Sequence, residues 1–90
     1  MKFTVHGRRR ILERKISEDL IAETVANPSQ SFYDFSSSAN VVFNKLNGKH
    51  LMVVYVHESN EIRVITTFIT SAAEEIIRSK LSNHTWVKTK

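Results

Sequence analysis

Apolar and polar residues alternate in three segments of the second half of the chain, which is the pattern of β-strands. The segments cover residues 41–46, 49–57 and 62–68. Asn47-Gly48 separates the first two segments and is a strong hairpin signal, because both residue types tolerate a positive φ. Ser59-Asn60 is a weaker turn pair between the second and third. The alternation therefore predicts an antiparallel meander joined by two short turns.

A further strand is predicted at residues 32–35, followed by a serine turn at residues 36–38. Side chains of a strand point alternately to the two faces of the sheet, so two-residue loops in the meander define both faces. Both faces are mostly apolar, which predicts a central sheet that helices or a partner cover. One face then carries Val41, Phe43, Lys45, His50, Met52, Val54, Val56, Arg63, Ile65 and Thr67, and the other carries Val42, Asn44, Leu46, Lys49, Leu51, Val53, Tyr55, His57, Ile62, Val64, Thr66 and Phe68.

Two short helices are predicted before the sheet. Residues 3–5 suit a short strand, Gly7 marks a change of direction, and residues 8–15 form a basic helix whose apolar contact comes from Leu12 and Ile16. The second helix has Ser17 as its N-cap, with Ile16 stapled onto Ile21. It ends at Asn27-Pro28, because a residue that precedes proline is disfavoured in the α region. Its inward stripe is Leu20, Ile21, Thr24 and Val25.

The last predicted helix opens at residues 71–74, where Ser71 and Glu74 have the spacing of a capping box. Residues 83–90 are predicted to be a loose basic tail that contains Trp86, and residues 1–82 a single domain. The predicted fold class is α+β, with a short N-terminal strand, two helices, an antiparallel sheet of three to four further strands and a C-terminal helix. The apolar side of the last helix is Ala73, Ile76, Ile77 and Leu81.

The positive charge is concentrated at the start of the chain. Residues 1–15 hold six of the 13 lysines and arginines and Glu13 as their only acid, so their net charge is +5 while the other residues sum to −1. A local field of this sign attracts phosphate groups, and nucleic acids are the commonest polyanions. The sequence therefore indicates a small protein directed at nucleic acid.

Several classes of function are disfavoured by composition. With no cysteine there is no disulfide framework, thiolate nucleophile or cysteine-bound zinc. No apolar run approaches the length of a membrane span, and the first residues do not resemble a secretory leader. His57 and His84 lack partners at metal-ligand spacing, so we expect no metal site. We also expect no cofactor. The absence of cysteine is compatible with a cytoplasmic location, which is the location that we expect.

The order of these elements and several local motifs resemble a family of small uncharacterised domains, which looks like a branch of the RelE/ParE-type toxin superfamily close to the BrnT toxins. The resemblance covers roughly residues 3–70 and implies two N-terminal helices packed on an antiparallel sheet. It also implies an antitoxin partner and, in many members, metal-independent cleavage of messenger RNA, in some cases on the ribosome. BrnT-like chains carry an arginine where Phe68 stands here. The motifs are His6, Arg10, Arg14, Ile16 and Ser17, then Asn27-Pro28, then Gly48, Lys49, His50, Leu51, Met52, Val53, Val54 and Tyr55, then Ile62, Arg63, Val64, Ile65 and Thr66.

Metal-free RNA cleavage needs a base for the ribose 2′-hydroxyl and cations for the charge that grows on the phosphate. His6 is the candidate base, with Arg10 and Arg63 as candidate catalytic cations. His6, Arg10 and Arg14 are spaced by four residues and share one face of a helix. The candidate nucleic-acid-binding residues are Arg8, Arg9, Arg14, Lys45, Lys49 and His50.

Each of these residues also has a structural interpretation. His6 can cap or pack against the helix while the arginines are solvated, and Arg63 can pair with Glu13 or Asp34. Lysines near the first turn can simply protect a sheet edge. Trp86 can stack on a base, close the core or fill an antitoxin groove. The alternatives to a nuclease are a non-catalytic module that binds nucleic acid or an antitoxin, and a gyrase-directed toxin; a homodimer is also open.

Overall fold

The computed structural model describes residues 1–89 as an α+β domain in which three helices pack on one mixed sheet of six strands. The predicted fold class is therefore confirmed. The sheet has one strand more than expected, because a further strand follows the last helix. The elements are β1 (Lys2–Phe3), α1 (Val5–Arg14), α2 (Glu18–Ala26), β2 (Gln30–Asp34), β3 (Ala39–Leu46), β4 (Lys49–Glu58), β5 (Glu61–Thr70), α3 (Ala73–Ser82) and β6 (Trp86–Lys88).

The strand order across the sheet is β1-β5-β4-β3-β2-β6. β1 runs parallel to β5, and every other pairing is antiparallel. Both meander turns hold two residues with positive φ: 36° at Asn47 and 85° at Gly48, then 51° at Ser59 and 66° at Asn60. The two predicted hairpins are confirmed, including the one with the weaker sequence signal.

The predicted faces fail in the second half of β5, because a β-bulge interrupts the register. Tyr55 pairs with Val64 whereas the preceding Val54 pairs with Thr66, so Ile65 is an extra residue. One extra residue moves every later side chain to the opposite face. Thr66 and Phe68 therefore share a face with Met52 and Val54, and Thr67 lies on the other face, opposite to the prediction. Alternation alone carries no signal for such an insertion.

Each face of the sheet has its own hydrophobic core, which confirms that both faces are covered. We call the two faces the α1/α2 face and the α3 face, after the helices that cover them. The buried residues on the α1/α2 face are Ile11, Ile16, Ile21, Val42, Leu51, Val53 and Val64. Those on the α3 face are Phe32, Val41, Phe43, Met52, Ala73, Ile77 and Trp86.

α1 begins three residues earlier than predicted, directly after β1. Thr4 is its N-cap, and its hydroxyl accepts a hydrogen bond from the Gly7 backbone N–H at 2.9 Å and donates to the Ile65 carbonyl at 3.0 Å. Gly7 is thus inside the helix rather than at a change of direction. A Cβ on Gly7 would lie 2.8 Å from the Val64 carbonyl oxygen. The glycine is needed for close approach of α1 to β5, and not for a turn.

The longer helix also changes which residue faces the core. Ile11 is only 6% exposed and packs with Ile16, whereas Leu12 is 71% exposed. The prediction that Leu12 supplies the apolar contact is wrong, because the buried line of the helix runs through Gly7 and Ile11. Lys15 then ends the helix in the left-handed conformation, with φ at 53°.

α2 follows its sequence signals. The Ser17 side chain accepts a hydrogen bond from the Leu20 backbone N–H at 3.1 Å, and Asn27 ends the helix before Pro28. Ile21 and Thr24 are fully buried. Both ends of this helix and its inward stripe are therefore confirmed.

The capping box predicted for α3 does not form. The N-cap is Ala72, which makes no side-chain cap, and its backbone N–H donates instead to the Thr70 hydroxyl at 2.9 Å. Ser71 is therefore not the cap. Thr70 is the last residue of β5 and bonds only the N-cap N–H, so no side chain caps the first turn of α3.

The segment predicted as a loose tail contains β6, which pairs with β2. Trp86 is 4% exposed. The centroid of its ring lies 5.3 Å from the centroid of the Phe32 ring and 5.9 Å from that of the Phe43 ring. Trp86 therefore closes the core on the α3 face, one of the three roles considered for it. The prediction that residues 86–88 are loose is therefore wrong. Lys90, the last residue of the predicted tail, lies outside the described residues.

We predict that Gly7→Ala destabilises the fold although alanine is the better helix former. The helix gain of about 1 kcal/mol is outweighed by the collision with the Val64 carbonyl, since overpacking against backbone costs roughly 1–3 kcal/mol. Urea denaturation measures the change in the free energy of unfolding. A variant as stable as the parent protein would contradict the close approach of α1 to β5.

Alanine substitution of the adjacent residues Ile11 and Leu12 tests which side of α1 faces the core. Ile11→Ala is expected to lower the free energy of unfolding by about 2–5 kcal/mol, because it removes a buried side chain. Leu12→Ala is expected to stay within roughly 0.5 kcal/mol. Equal losses in chemical denaturation would show that the buried line of α1 is misplaced.

Candidate nucleic-acid interface

α1 lies along the edge of β5 that the short strand β1 leaves open. β1 pairs only with Arg63 and Val64. Beyond that point the Ile65 carbonyl accepts from the Thr4 hydroxyl, and the Thr67 carbonyl accepts from Arg14 Nη1 at 3.1 Å. α1 thus takes the place of an edge strand, and Arg14 at its end is bound directly to the sheet.

His6 and Arg10 are in direct contact on this helix. Arg10 Nε donates to His6 Nε2 at 3.3 Å; the imidazole is exposed and Arg10 is partly buried. The imidazole can accept this hydrogen bond only through a nitrogen that carries no proton. Arg10 Nη1 is also 3.8 Å from Glu13 Oε1, an exposed ion pair of little energetic weight. The predicted base and one predicted cation are therefore brought together.

Arg14 continues the same line of the helix, four residues after Arg10. Besides its hydrogen bond to Thr67, its guanidinium carbon lies 5.8 Å from the centre of the Phe68 ring. A cation over an aromatic face is stabilised there, and a guanidinium has five N–H donors. Arg14 is thus fixed in place by two contacts on β5 and keeps donors for another acceptor.

Arg63 lies elsewhere. Its Nη1 is 3.1 Å from Glu58 Oε2 across the second turn, and it pairs in register with Val56 on the α3 face. The neighbouring Val64 packs on the α1/α2 face. Strand alternation therefore points Arg63 away from the face that α1 covers. The ion-pair partner is Glu58 and not Glu13 or Asp34, because the tight turn brings residues 58 and 63 together.

Asp34 has other partners. Its Oδ1 accepts from the Ser36 backbone N–H at 2.8 Å and from the Ser36 hydroxyl at 2.7 Å. Burial by itself would raise the pKa of Asp34, but these hydrogen bonds hold the pKa below its usual value. Trp86 Nε1 adds a weaker contribution without reaching hydrogen-bond geometry, and it is buried with no partner. The carboxylate thus stabilises the β2–β3 turn.

The other two arginines of the basic run point away from the His6–Arg10 line. Arg8 is 3.7 Å from Glu18 and lies over the Phe3 ring at 5.0 Å, on the flank that faces α2. Arg9 is exposed on the outward side of α1. The four arginines of residues 8–14 therefore lie in at least three different surroundings.

The basic residues near the first turn separate from one another. Lys45 and His50 are cross-strand partners on the α3 face. With Ser29, Gln30 and Glu74 they line a cleft of about 290 Å³. Lys49 is on the α1/α2 face and exposed. Lys45 and His50 therefore lie in a cleft apart from Lys49, and the three residues do not form one continuous basic cluster.

Sequence reasoning missed the two residues that position the α1 line. Thr4 had a usable signal, because threonine just before a basic helix is a common N-cap. Thr67, whose carbonyl binds Arg14, had none, since a backbone contact leaves no mark in the residue type. Tyr55 packs against the core of the α1/α2 face, and burial raises the pKa of its phenol.

Within residues 1–89, no three histidine, cysteine or carboxylate side chains converge to hold a metal ion. In the same range no helix has the length and apolar character to cross a membrane.

No curated protein matches the chain, and no solved structure matches it. A family model described as a domain of unknown function (DUF4258) matches residues 3–69. The matched range includes α1, α2 and all but the last residue of the meander, so it contains the whole His6–Arg10–Arg14 line. The chain belongs to the DUF4258 family.

Proposed function

We propose that this protein is a toxin-like, metal-independent RNA endonuclease whose site is the His6–Arg10–Arg14 line of α1. The observation that carries the proposal is the 3.3 Å contact between His6 and Arg10 on the helix that lies along the edge of the sheet. A potential base and a cation are thus adjacent within the segment whose net charge is +5. RNA supplies both an anion and a weakly acidic hydroxyl, which suits this pair.

The contact suggests how the two groups act in turn. A phosphodiester attracts the Arg10 guanidinium, which binds phosphate oxygens bidentately and leaves His6 Nε2. The freed nitrogen removes the proton from the ribose 2′-hydroxyl, and the 2′-oxygen attacks the adjacent phosphorus. The bond to the 5′-oxygen breaks, and the imidazolium returns its proton to that leaving oxygen. The products are a 2′,3′-cyclic phosphate and a 5′-hydroxyl.

Arg14 is the second cation of this proposal. BrnT-like chains have an arginine at the position that Phe68 occupies here. The guanidinium of Arg14 lies over the Phe68 ring. Positive charge is thus supplied at this strand position from α1. Arg63 is left out of the mechanism, since it pairs with Glu58 on the α3 face.

The layout also supports a relationship to the RelE/ParE-type superfamily. Two helices precede an antiparallel meander, and a third helix follows it. On that ground we propose a protein antitoxin as partner and RNA, free or on the ribosome, as substrate. Family membership alone assigns neither, so both depend on the site chemistry.

One observation favours a non-catalytic RNA-binding protein as the second candidate. The Nε2 lone pair of His6 is occupied by Arg10, so the base is not free until a ligand displaces the guanidinium. If displacement does not occur, the same residues only bind the phosphate backbone.

We predict that Arg10→Ala lowers the rate of RNA cleavage by roughly 100-fold or more, because it removes the cation that stabilises the developing charge. The matched control is Arg78→Ala, an exposed arginine on α3, which should cleave at the parent rate. Both variants should keep the parent free energy of unfolding. Parent-like cleavage by the Arg10 variant would refute its role.

His6→Ala distinguishes the two candidates. A nuclease should lose cleavage but keep most of its RNA affinity, because the imidazole acts on the proton and not on the phosphate charge. The logarithm of the RNA-binding constant is expected to fall linearly as the logarithm of the salt concentration rises. A parent protein that binds RNA without cutting it on either naked RNA or translating ribosomes would establish the binding-only candidate.

Expression in a bacterial host is expected to arrest growth through loss of translation, and co-expression of a neighbouring gene product is expected to relieve it. The Arg10→Ala variant should be harmless. Induction of the SOS response without translation arrest would indicate a gyrase-directed activity and contradict the nuclease.

A further inference from the structure

The outward side of α1 carries two aliphatic side chains that no part of the described fold covers. Val5 is 81% exposed and Leu12 is 71% exposed. They are seven residues apart, which is about two helical turns or roughly 10 Å on one side of a helix. With Arg8, Arg9 and Glu13 they line a shallow, largely apolar cleft of about 360 Å³.

Neither the core nor RNA accounts for this surface. Gly7 and Ile11 occupy the buried side of the helix, so Val5 and Leu12 add nothing to the core. Phosphate groups gain nothing from aliphatic side chains. Exposed apolar residues with a polar border are instead typical of a surface that another protein covers.

The charges beside the cleft indicate what kind of protein fits. Arg8 and Arg9 border the two aliphatic residues, and Glu13 is the only acid among the cleft residues. Arg8 also lies 3.7 Å from Glu18, in an exposed ion pair that is weak enough for another carboxylate to displace. A second copy of the chain, docked by a two-fold axis through this surface, would bring Arg9 next to Arg8 or Arg9 of its partner. Like charges at that distance oppose association, whereas carboxylates would be attracted.

We propose that the outward face of α1 binds an acidic amphipathic helix of another protein. Apolar side chains of that helix would fill the cleft between Val5 and Leu12, and its carboxylates would pair with Arg8 and Arg9. This is recognition of a helix by paired apolar anchors, with charge setting the choice of partner.

The position of this surface also makes it a means of control. His6 and Arg10 lie on the adjacent strip of α1, roughly 60–100° around the helix from Arg9. A docked helix is about 10 Å wide, so it would overlap that strip and add negative charge beside it. The bound helix would therefore exclude RNA, an effect that rests on the proposed function, whereas docking itself does not.

A synthetic acidic peptide with leucines on one helical face tests docking, with fluorescence anisotropy as the measurement. The control peptide has the same charge, with glutamine in place of each leucine. The parent protein should bind the leucine peptide, and Leu12→Gln and Val5→Thr should each weaken binding about tenfold or more, as expected for loss of a buried aliphatic contact. Both sites are exposed, so denaturation should show unchanged folding.

Three results would overturn the proposal. The first is equal binding of both peptides, which would show attraction by charge alone. The second is a dimer in light scattering that Leu12→Gln abolishes, which would make a second copy the occupant. The third is Leu12-dependent sedimentation with phosphatidylglycerol vesicles, which would make it a lipid surface.

Competition with RNA tests the control step separately. Saturating leucine peptide should displace labelled RNA from the parent protein but not from Leu12→Gln. If peptide binds and RNA stays bound, the control step is wrong. If RNA does not bind even without peptide, the proposed function fails while docking is judged by the peptide titration alone.

Discussion

The seating of α1 against the edge of β5 is the constraint on which the rest of the molecule depends. Gly7 allows the helix backbone to approach the Val64 carbonyl, and Thr4 connects the helix start to Ile65. Without this approach, Ile11 would not reach the core and Arg14 would not reach the Thr67 carbonyl. One close contact between backbones therefore sets both the stability of the first helix and the placement of the candidate site.

Local signals of the sequence were sufficient wherever one residue decides the conformation. The Asn47-Gly48 turn, the Ser17 cap and the stop at Pro28 are examples, because each acts through its own backbone preference. They failed where a distant group takes part. β2 draws the segment around Trp86 into the sheet, although the paired residues Asp34 and Trp86 are far apart in sequence. The capping box of α3 failed for a different reason, because the helix begins after Ala72 and not after Ser71.

The part of the candidate site that lies on one helix was predictable, because it depends only on local spacing. Spacing by four residues placed His6, Arg10 and Arg14 on one line, and the helix keeps that line. Arg63 could not be placed, since its orientation depends on a pairing register and on a carboxylate across the turn. The basic run as a whole also divides among different surfaces, because a helix distributes consecutive residues around its axis. Net charge identified α1 as the basic element but could not show which side of this helix carries the candidate site.

The bulge at Ile65 has a consequence for how β5 can vary in length. Deletion of Ile65 would restore regular pairing with β4 and leave Thr66, Thr67 and Phe68 opposite their present partners, so the faces that they occupy would not change. The deletion would remove the carbonyl that accepts from the Thr4 hydroxyl at the start of α1. The extra residue of β5 is therefore tied to the seating of α1 and not to either core, and the strand can be shortened there only at the expense of the contact between that helix and the sheet.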